Sequence, residues 1–194
     1  MFSSIVVFCG SNTGKNEIYC KAAYETGKVL AEQNISIVYG GARIGVMGAL
    51  ATGALEHNGE VCGVIPRFLK TKEVAHENLT KLLEVETMHE RKLKMHELSD
   101  GIIALPGGWG TMEELFEMMT WAQLGLHPKP IGILNINGFY NPLLEMIEKM
   151  LDEGFIKPAQ KEMILVNDEI ETLLEMMKNY RAPEIKKWIT GHTV

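Results

Sequence analysis

Residues 101–124 read GIIALPGGWGTMEELFEMMTWAQL, and this stretch decides the fold. Gly101 to Leu105 is a short, continuous apolar run, the pattern of a strand buried on both faces. Pro106-Gly107-Gly108 is a turn, and Thr111 to Leu124 reads as a helix. A strand, a glycine turn and a helix form half of a parallel crossover unit, and the unit recurs in both directions. Toward the N-terminus, strands are predicted over 4–9, 35–39, 60–65 and 82–86, with helices over 17–33, 45–57 and 89–99. Toward the C-terminus come a strand over 131–135, a helix over 140–151, a strand over 163–166 and a helix over 169–180. Residues 67–81 are polar and without period, and read as a loop with a short helix. Strands alternating with helices imply right-handed crossovers and an α/β fold: a doubly wound, mainly parallel sheet with helices on both faces. Such sheets bind ligands outside the carboxyl ends of their strands.

The chain has 194 residues, which at about 150 residues per domain predicts a single domain spanning 1–194. It is 46% hydrophobic and 23% charged, which excludes a disordered or collagen-like chain. No apolar run approaches the roughly 18 residues of a membrane span. The opening MFSSIVVFCGSNTG lacks a basic segment and a cleavage site, and reads as a first strand rather than a secretory signal. A net charge of -6 argues against a nucleic-acid partner, which needs a basic footprint. Cys9, Cys20 and Cys62 are odd in number and form no CxxC pair. They fit a reducing, cytoplasmic setting and argue against both a disulfide framework and a zinc site.

Three strand ends carry glycine: Gly10-Ser11-Asn12-Thr13-Gly14, Gly40-Gly41 through Gly45 to Gly48, and Pro106-Gly107-Gly108-Trp109-Gly110-Thr111. Glycine permits a sharp turn and lets a ligand approach the amides. A helix starting there offers free N–H groups and the positive end of its dipole to an anion. Any α/β sheet needs some glycine at its tight turns, but three such turns in one domain point to a nucleotide or phosphate ligand. Known motifs narrow the choice. The 40–48 run is not GxGxxG, and the next strand ends without a ribose-binding acid, which disfavours NAD. No P-loop is present. The 10–14 run is not a GxSxG elbow, and His89-Glu90 has its next histidine at His96, so HExxH is absent.

Two charged groups stand out. Met88, Met95 and Leu98 form an apolar stripe on a helix, and Arg91 falls on that stripe with Lys92 beside it. A cation on a buried face needs a partner: either it is a snorkelling stem or structural ion pair, or it reaches an anionic ligand. Thr111-x-x-Glu114 matches a capping box. The same glutamate would also sit at the mouth of the phosphate site, where a carboxylate is repelled by phosphate and suits chemistry at a sugar carbon or a water.

Met88-His89-Glu90-Arg91-Lys92, Leu105 to Leu115 and Thr120-Trp121-Ala122-Gln123-Leu124-Gly125 together resemble the Lonely Guy family of cytokinin riboside 5'-monophosphate phosphoribohydrolases. The family pattern PGGxGTxxE is matched by Pro106 to Glu114, and the resemblance runs from the first strand to about Pro142. It implies a Rossmann-like homodimer whose active sites are completed near the subunit interface. It implies cleavage of the N-glycosidic bond of a purine nucleoside monophosphate to base and ribose phosphate, with no cofactor. It assigns catalysis to Arg91 and Glu114, and the nucleotide site to Glu73, Lys92, Gly107, Gly108, Trp109, Gly110, Thr111, Met112, Glu113 and Thr120. Ser11, Gly40 and Gly41 would add phosphate-binding turns. The lysine decarboxylase label carried by some members is a misnomer by this reading, since a Schiff-base lysine is not evident. The rival expectation is a non-catalytic nucleotide-binding or carrier protein on the same fold. Trp109 would wall the base or meet the partner subunit, or else pack in the core. The methionines read as core and interface filler.

Overall fold

The apolar runs assemble into one sheet of seven strands in the computed structural model, which describes residues 2–70, 76 and 78–183. They are β1 (Ser4–Phe8), β2 (Ser36–Tyr39), β3 (Val61–Pro66), β4 (Lys81–Val85), β5 (Gly101–Ala104), β6 (Ile131–Leu134) and β7 (Ile164–Asn167). Their order is β4-β3-β2-β1-β5-β6-β7, and every pairing is parallel. The sheet is therefore wholly parallel, where the sequence predicted a mainly parallel one. The chain winds outward from β1 to one edge, then returns to β5 and winds to the other, which makes the fold doubly wound.

Alternation along the central strand feeds two cores. Ile5, Val7 and Cys9 point to one face and Val6 and Phe8 to the other. The first face is covered by α1 (Ile18–Glu32), α2 (Gly45–Glu56) and, after the β6 and β7 crossovers, α8 (Ile170–Asn179). The second is covered by α4 (Met88–Glu97), α5 (Trp109–Gln123) and Leu143 of α6 (Asn141–Asp152). Two one-turn helices complete the set, α3 (Arg67–Lys70) and α7 (Pro158–Lys161). The first lies in the stretch read as a loop with a short helix; the second carries no hydrophobic period and was not predicted. Among the described residues no helix is long and apolar enough to cross a membrane.

The register of β1 and β5 fixes where the site forms. Phe8 pairs with Ala104, so both strands end together. The Leu105 amide donates to the Phe8 carbonyl at 2.9 Å and the Gly10 amide to the Pro106 carbonyl at 3.1 Å. Two of the three glycine turns are thus held side by side at the point where the strand order reverses, the place where open α/β sheets bind ligands.

Candidate active site

A cavity of about 500 Å³ opens over the carboxyl ends of β1 and β5. Cys9 to Gly14 form one wall and Pro106 to Thr111 the other, with Met88, Arg91 and Glu114 completing the rim between α4 and α5. Val46, Met47, Leu69, Tyr19 and Phe139 supply apolar and aromatic surface. Tyr19 and Phe139 meet edge to face, with ring centroids 5.7 Å apart.

The second wall is a helix start. Helix α5 begins at Trp109, two residues earlier than predicted, and Gly108 is its cap residue. Its first amides therefore have no acceptor within the helix and face the cavity. Two kinds of glycine build the turn. At Gly107 an added Cβ would lie 2.1 Å from Oγ1 of Thr111 and 2.9 Å from the Gly10 amide nitrogen, so the two turns interlock through it. At Gly108 and Gly110 an added Cβ would meet nothing within 4 Å. Those two leave space in front of the amides.

The capping box does not form. No side chain caps α5, and Thr111, three residues into the helix, is buried against Gly107 on the cavity wall. Glu114 lies in the second turn and is also buried, at 4% exposure. This corrects the alternative in which Thr111 and Glu114 serve only the helix terminus. The reason is tertiary: closing the β1 and β5 turns together takes Thr111 away from the cap position.

Arg91 is 4% exposed, so its guanidinium is buried along with its stem. Nε donates to the Val64 carbonyl at 3.1 Å and Nη2 to the Gly40 carbonyl at 3.2 Å. Nη1 stands 3.9 Å from Oε1 of Glu114. The carbonyls of Val64 within β3 and of Gly40 just after β2 thus hold the guanidinium, and Nη1 faces the carboxylate at ion-pair range, beyond hydrogen-bond length. Snorkelling is excluded by this geometry. Cys9 lies against the same pair. Burial pushes its thiol well above the ordinary range, Glu114 pushes it further, and Arg91 opposes them. Cys9 is thus a neutral wall residue and not a nucleophile.

Lys92 points away from the cavity. Its ammonium is held by Glu113 and by Glu117, the latter at 3.0 Å. Burial alone would lower its pKa; the hydrogen bonds that it donates to the two carboxylates outweigh that and leave it above the ordinary lysine value.

The other predicted residues fall in three groups. Ser11, Gly107, Gly108, Trp109, Gly110 and Thr111 line the cavity with Arg91 and Glu114. Lys92, Met112, Glu113 and Thr120 do not. Met112 packs against the core of the second face, and the Thr120 hydroxyl is satisfied by the Phe116 carbonyl at 2.8 Å. Gly40 and Gly41, expected to add phosphate-binding turns, do not line this cavity. Gly40 accepts from Arg91, and an added Cβ there would stand 2.1 Å from Nη2. Gly41 is buried against Ile65 and Leu82, and its carbonyl accepts the His76 amide. Glu73 lies outside the described residues.

Sequence reasoning missed the walls from Tyr19, Met47 and Phe139, which come from elements far apart in the chain. It also missed Glu117, whose signal was available: it follows Glu113 by four residues and shares its helix face. Among the described residues, no group of three histidine, cysteine or acidic side chains is placed to hold a metal ion.

Known proteins are similar to this chain in sequence or in fold. The family described as "Possible lysine decarboxylase" matches residues 47–177. A protein of Oryza sativa subsp. japonica named "Probable cytokinin riboside 5'-monophosphate phosphoribohydrolase" is 45% identical over 191 residues, covering 97% of this chain and 77% of that protein. A cytokinin riboside 5'-monophosphate phosphoribohydrolase of Arabidopsis thaliana is 46% identical over 180 residues, covering 92% of this chain and 82% of that protein. Among solved structures, the Moco carrier protein of Chlamydomonas reinhardtii superposes with a TM-score of 0.69 at 21% identity, covering 92% of this chain and 97% of that one. At that identity the likeness speaks for the fold alone.

Proposed function

The chain belongs to the Lonely Guy family of cytokinin riboside 5'-monophosphate phosphoribohydrolases, and from that premise we propose that it hydrolyses purine nucleoside 5'-monophosphates, AMP among them, to free base and ribose 5-phosphate. It is an enzyme of the N-glycosyl hydrolase class. The observation that carries the finer reading is the buried Arg91–Glu114 pair standing in one cavity with the open amides of α5.

The α5 amides and Thr111 hold the phosphate, and the ribose then extends toward Glu114. Remote binding of the phosphate fixes the reacting carbon, so binding energy is used for orientation. As the bond from C1′ to the base nitrogen breaks, its electrons leave with the base and positive charge builds on the sugar. Glu114 stabilises that charge and takes the proton of the water that adds to C1′, and the departing base takes up a proton in its place, so that free base and ribose 5-phosphate leave and the carboxylate is restored. Arg91, fixed by Val64 and Gly40, holds the carboxylate in place.

Trp109, Glu113, Phe116 and Thr120 follow one another at spacings of four, three and four, a single stripe along α5. Trp109 is 93% exposed and Phe116 38%. We assign the exposed rings of this stripe to a homodimer contact, which gives Trp109 and Thr120 a place beside a partner's site, though only Trp109 lines the cavity of its own chain, while Glu113 is turned to Lys92. The three cysteines are free thiols, which suits the reducing cytoplasm proposed for this enzyme.

The non-catalytic carrier reading has less support. A protein that only binds a phosphate ester has no use for a buried carboxylate beside it. The deciding experiment incubates the protein with AMP and with isopentenyl-AMP and follows free base by chromatography. Release of adenine or isopentenyladenine is expected; no base from any purine monophosphate overturns the hydrolytic reading.

A further inference from the structure

Two bridges join α4 to α5. The inner one runs from Arg91 to Glu114, inside the cavity. The outer one runs from Lys92 to Glu113 and Glu117, outside it. The residues interleave: Arg91 and Lys92 are neighbours on α4, and Glu114 lies between Glu113 and Glu117 on α5. Arg91 is tied to the sheet by Val64 and Gly40, so a shift of α5 along α4 changes the distance from Arg91 to Glu114.

The outer bridge spans the same two helices. The Lys92 side chain is 6% exposed, so its position is set by its carboxylate partners rather than by water. Those partners are unequal. The Glu113 side chain is 55% exposed and that of Glu117 24%, and a solvated partner holds a charge weakly. Glu117 is also unusual in another respect: its Oε2 is buried with no hydrogen-bond partner among the described residues. A glutamate on a helix surface avoids that cost by turning to solvent. Here the side chain stays in, with Oε1 on Lys92.

We propose that Glu117 is a positioning residue: by holding Lys92 it sets the register of α4 against α5, and with it the separation of Arg91 and Glu114. The inference rests on the hydrolytic reading, in which that separation matters. Glu113, the partner that the family resemblance points to, is the lesser of the two for this purpose.

The test compares Glu117→Ala, Glu117→Gln and Glu113→Ala with the wild type, using AMP as substrate. Glu117→Ala is expected to lower kcat by about ten- to a hundredfold, the scale of a small misplacement of reacting groups, with KM within about twofold. Glu117→Gln keeps an oxygen for the Lys92 ammonium and recovers most of the loss. Glu113→Ala loses less than Glu117→Ala. An unchanged kcat in Glu117→Ala, a change confined to KM, or equal losses in the two alanine variants overturns the proposal. A second measurement does not depend on turnover. The coupling between Arg91 and Glu114 is read from thermal unfolding of Arg91→Met, Glu114→Gln and the double variant, with and without Glu117→Ala. The coupling is expected to fall by about half or more in the Glu117→Ala background; an unchanged coupling overturns the positioning role even if the wild type releases no base, a result that by itself counts only against the hydrolytic reading.

Discussion

Nη1 of Arg91 and Oε1 of Glu114 stand 3.9 Å apart, and both side chains are about 5% exposed. The guanidinium is held back by carbonyls on its other edges, so the pair is close enough for each charge to stabilise the other without closing to a hydrogen bond.

Glu114→Gln keeps the shape of the side chain and removes its charge. Turnover of AMP is expected to fall by about 10²- to 10⁴-fold, the usual contribution of a positioned base, while nucleotide affinity measured by calorimetry changes by only a few fold. Retained turnover would transfer the role to another acid, Glu113 first.

Arg91→Met leaves Glu114 buried without its cation and leaves the Val64 and Gly40 carbonyls without their donor. Breaking a buried pair in this way costs about 3–5 kcal/mol, to be read from urea unfolding. Arg91→Met combined with Glu114→Gln should cost less than the sum of the two single changes, because the second removes the charge that the first stranded.

The glycines of the β5 turn should separate into two classes. Gly107→Ala places a methyl 2.1 Å from Thr111 Oγ1, and overpacking of this kind costs about 1–3 kcal/mol. Gly108→Ala and Gly110→Ala meet open space, so stability should move by no more than about 0.5 kcal/mol. Nucleotide affinity should nevertheless fall in both, because the methyl enters the space assigned to the phosphate. Unfolding curves and calorimetry on the three variants distinguish the two effects; unchanged affinity in Gly108→Ala and Gly110→Ala would place the phosphate elsewhere.

Acid should loosen the far end of α4. The rings of His96 and His127 lie with centroids 4.9 Å apart, tilted at 49° to each other. Burial, then Lys129 and His127, push His96 down to about 4, and burial lowers His127 as well. The unfolded chain therefore binds more protons than the native one once the pH drops below about 6.5. Stability from these groups is present above that value and is lost as the pH falls from about 6.5 toward 4. The unfolding temperature measured across this window should fall with pH, and His96→Gln should flatten the slope; an equal slope in that variant would move the effect to other groups.

Strand and helix placement was largely readable, because continuous apolar runs such as IVVF, GIIAL and IGIL have no other use than a sheet buried on both faces. The 106–114 stretch likewise named its own helix and turn. What failed was local reasoning applied to residues with distant partners. Thr111 looks like a cap, yet Gly107 and Gly10 decide where it goes. Gly40 looks like a ligand turn, yet it is small because Arg91, 51 residues later, needs its carbonyl. Glu117 looks like a solvated helix residue until α4 brings Lys92 to it. Tyr19 and Phe139 meet only after the sheet has formed, and nothing near either one announces the contact.

The central place of β1 also governs how the protein is made. As the chain leaves the ribosome, β1 to β4 can pair first, completing one half of the sheet by about Val85. The other edge of β1 then stays bare until β5, Gly101–Ala104, emerges to cover it. An apolar strand with an open edge is the segment that a chaperone would shield or that would recruit a neighbouring nascent chain. The strand that covers this edge of β1 is thus also the one that leads directly into the second wall of the cavity.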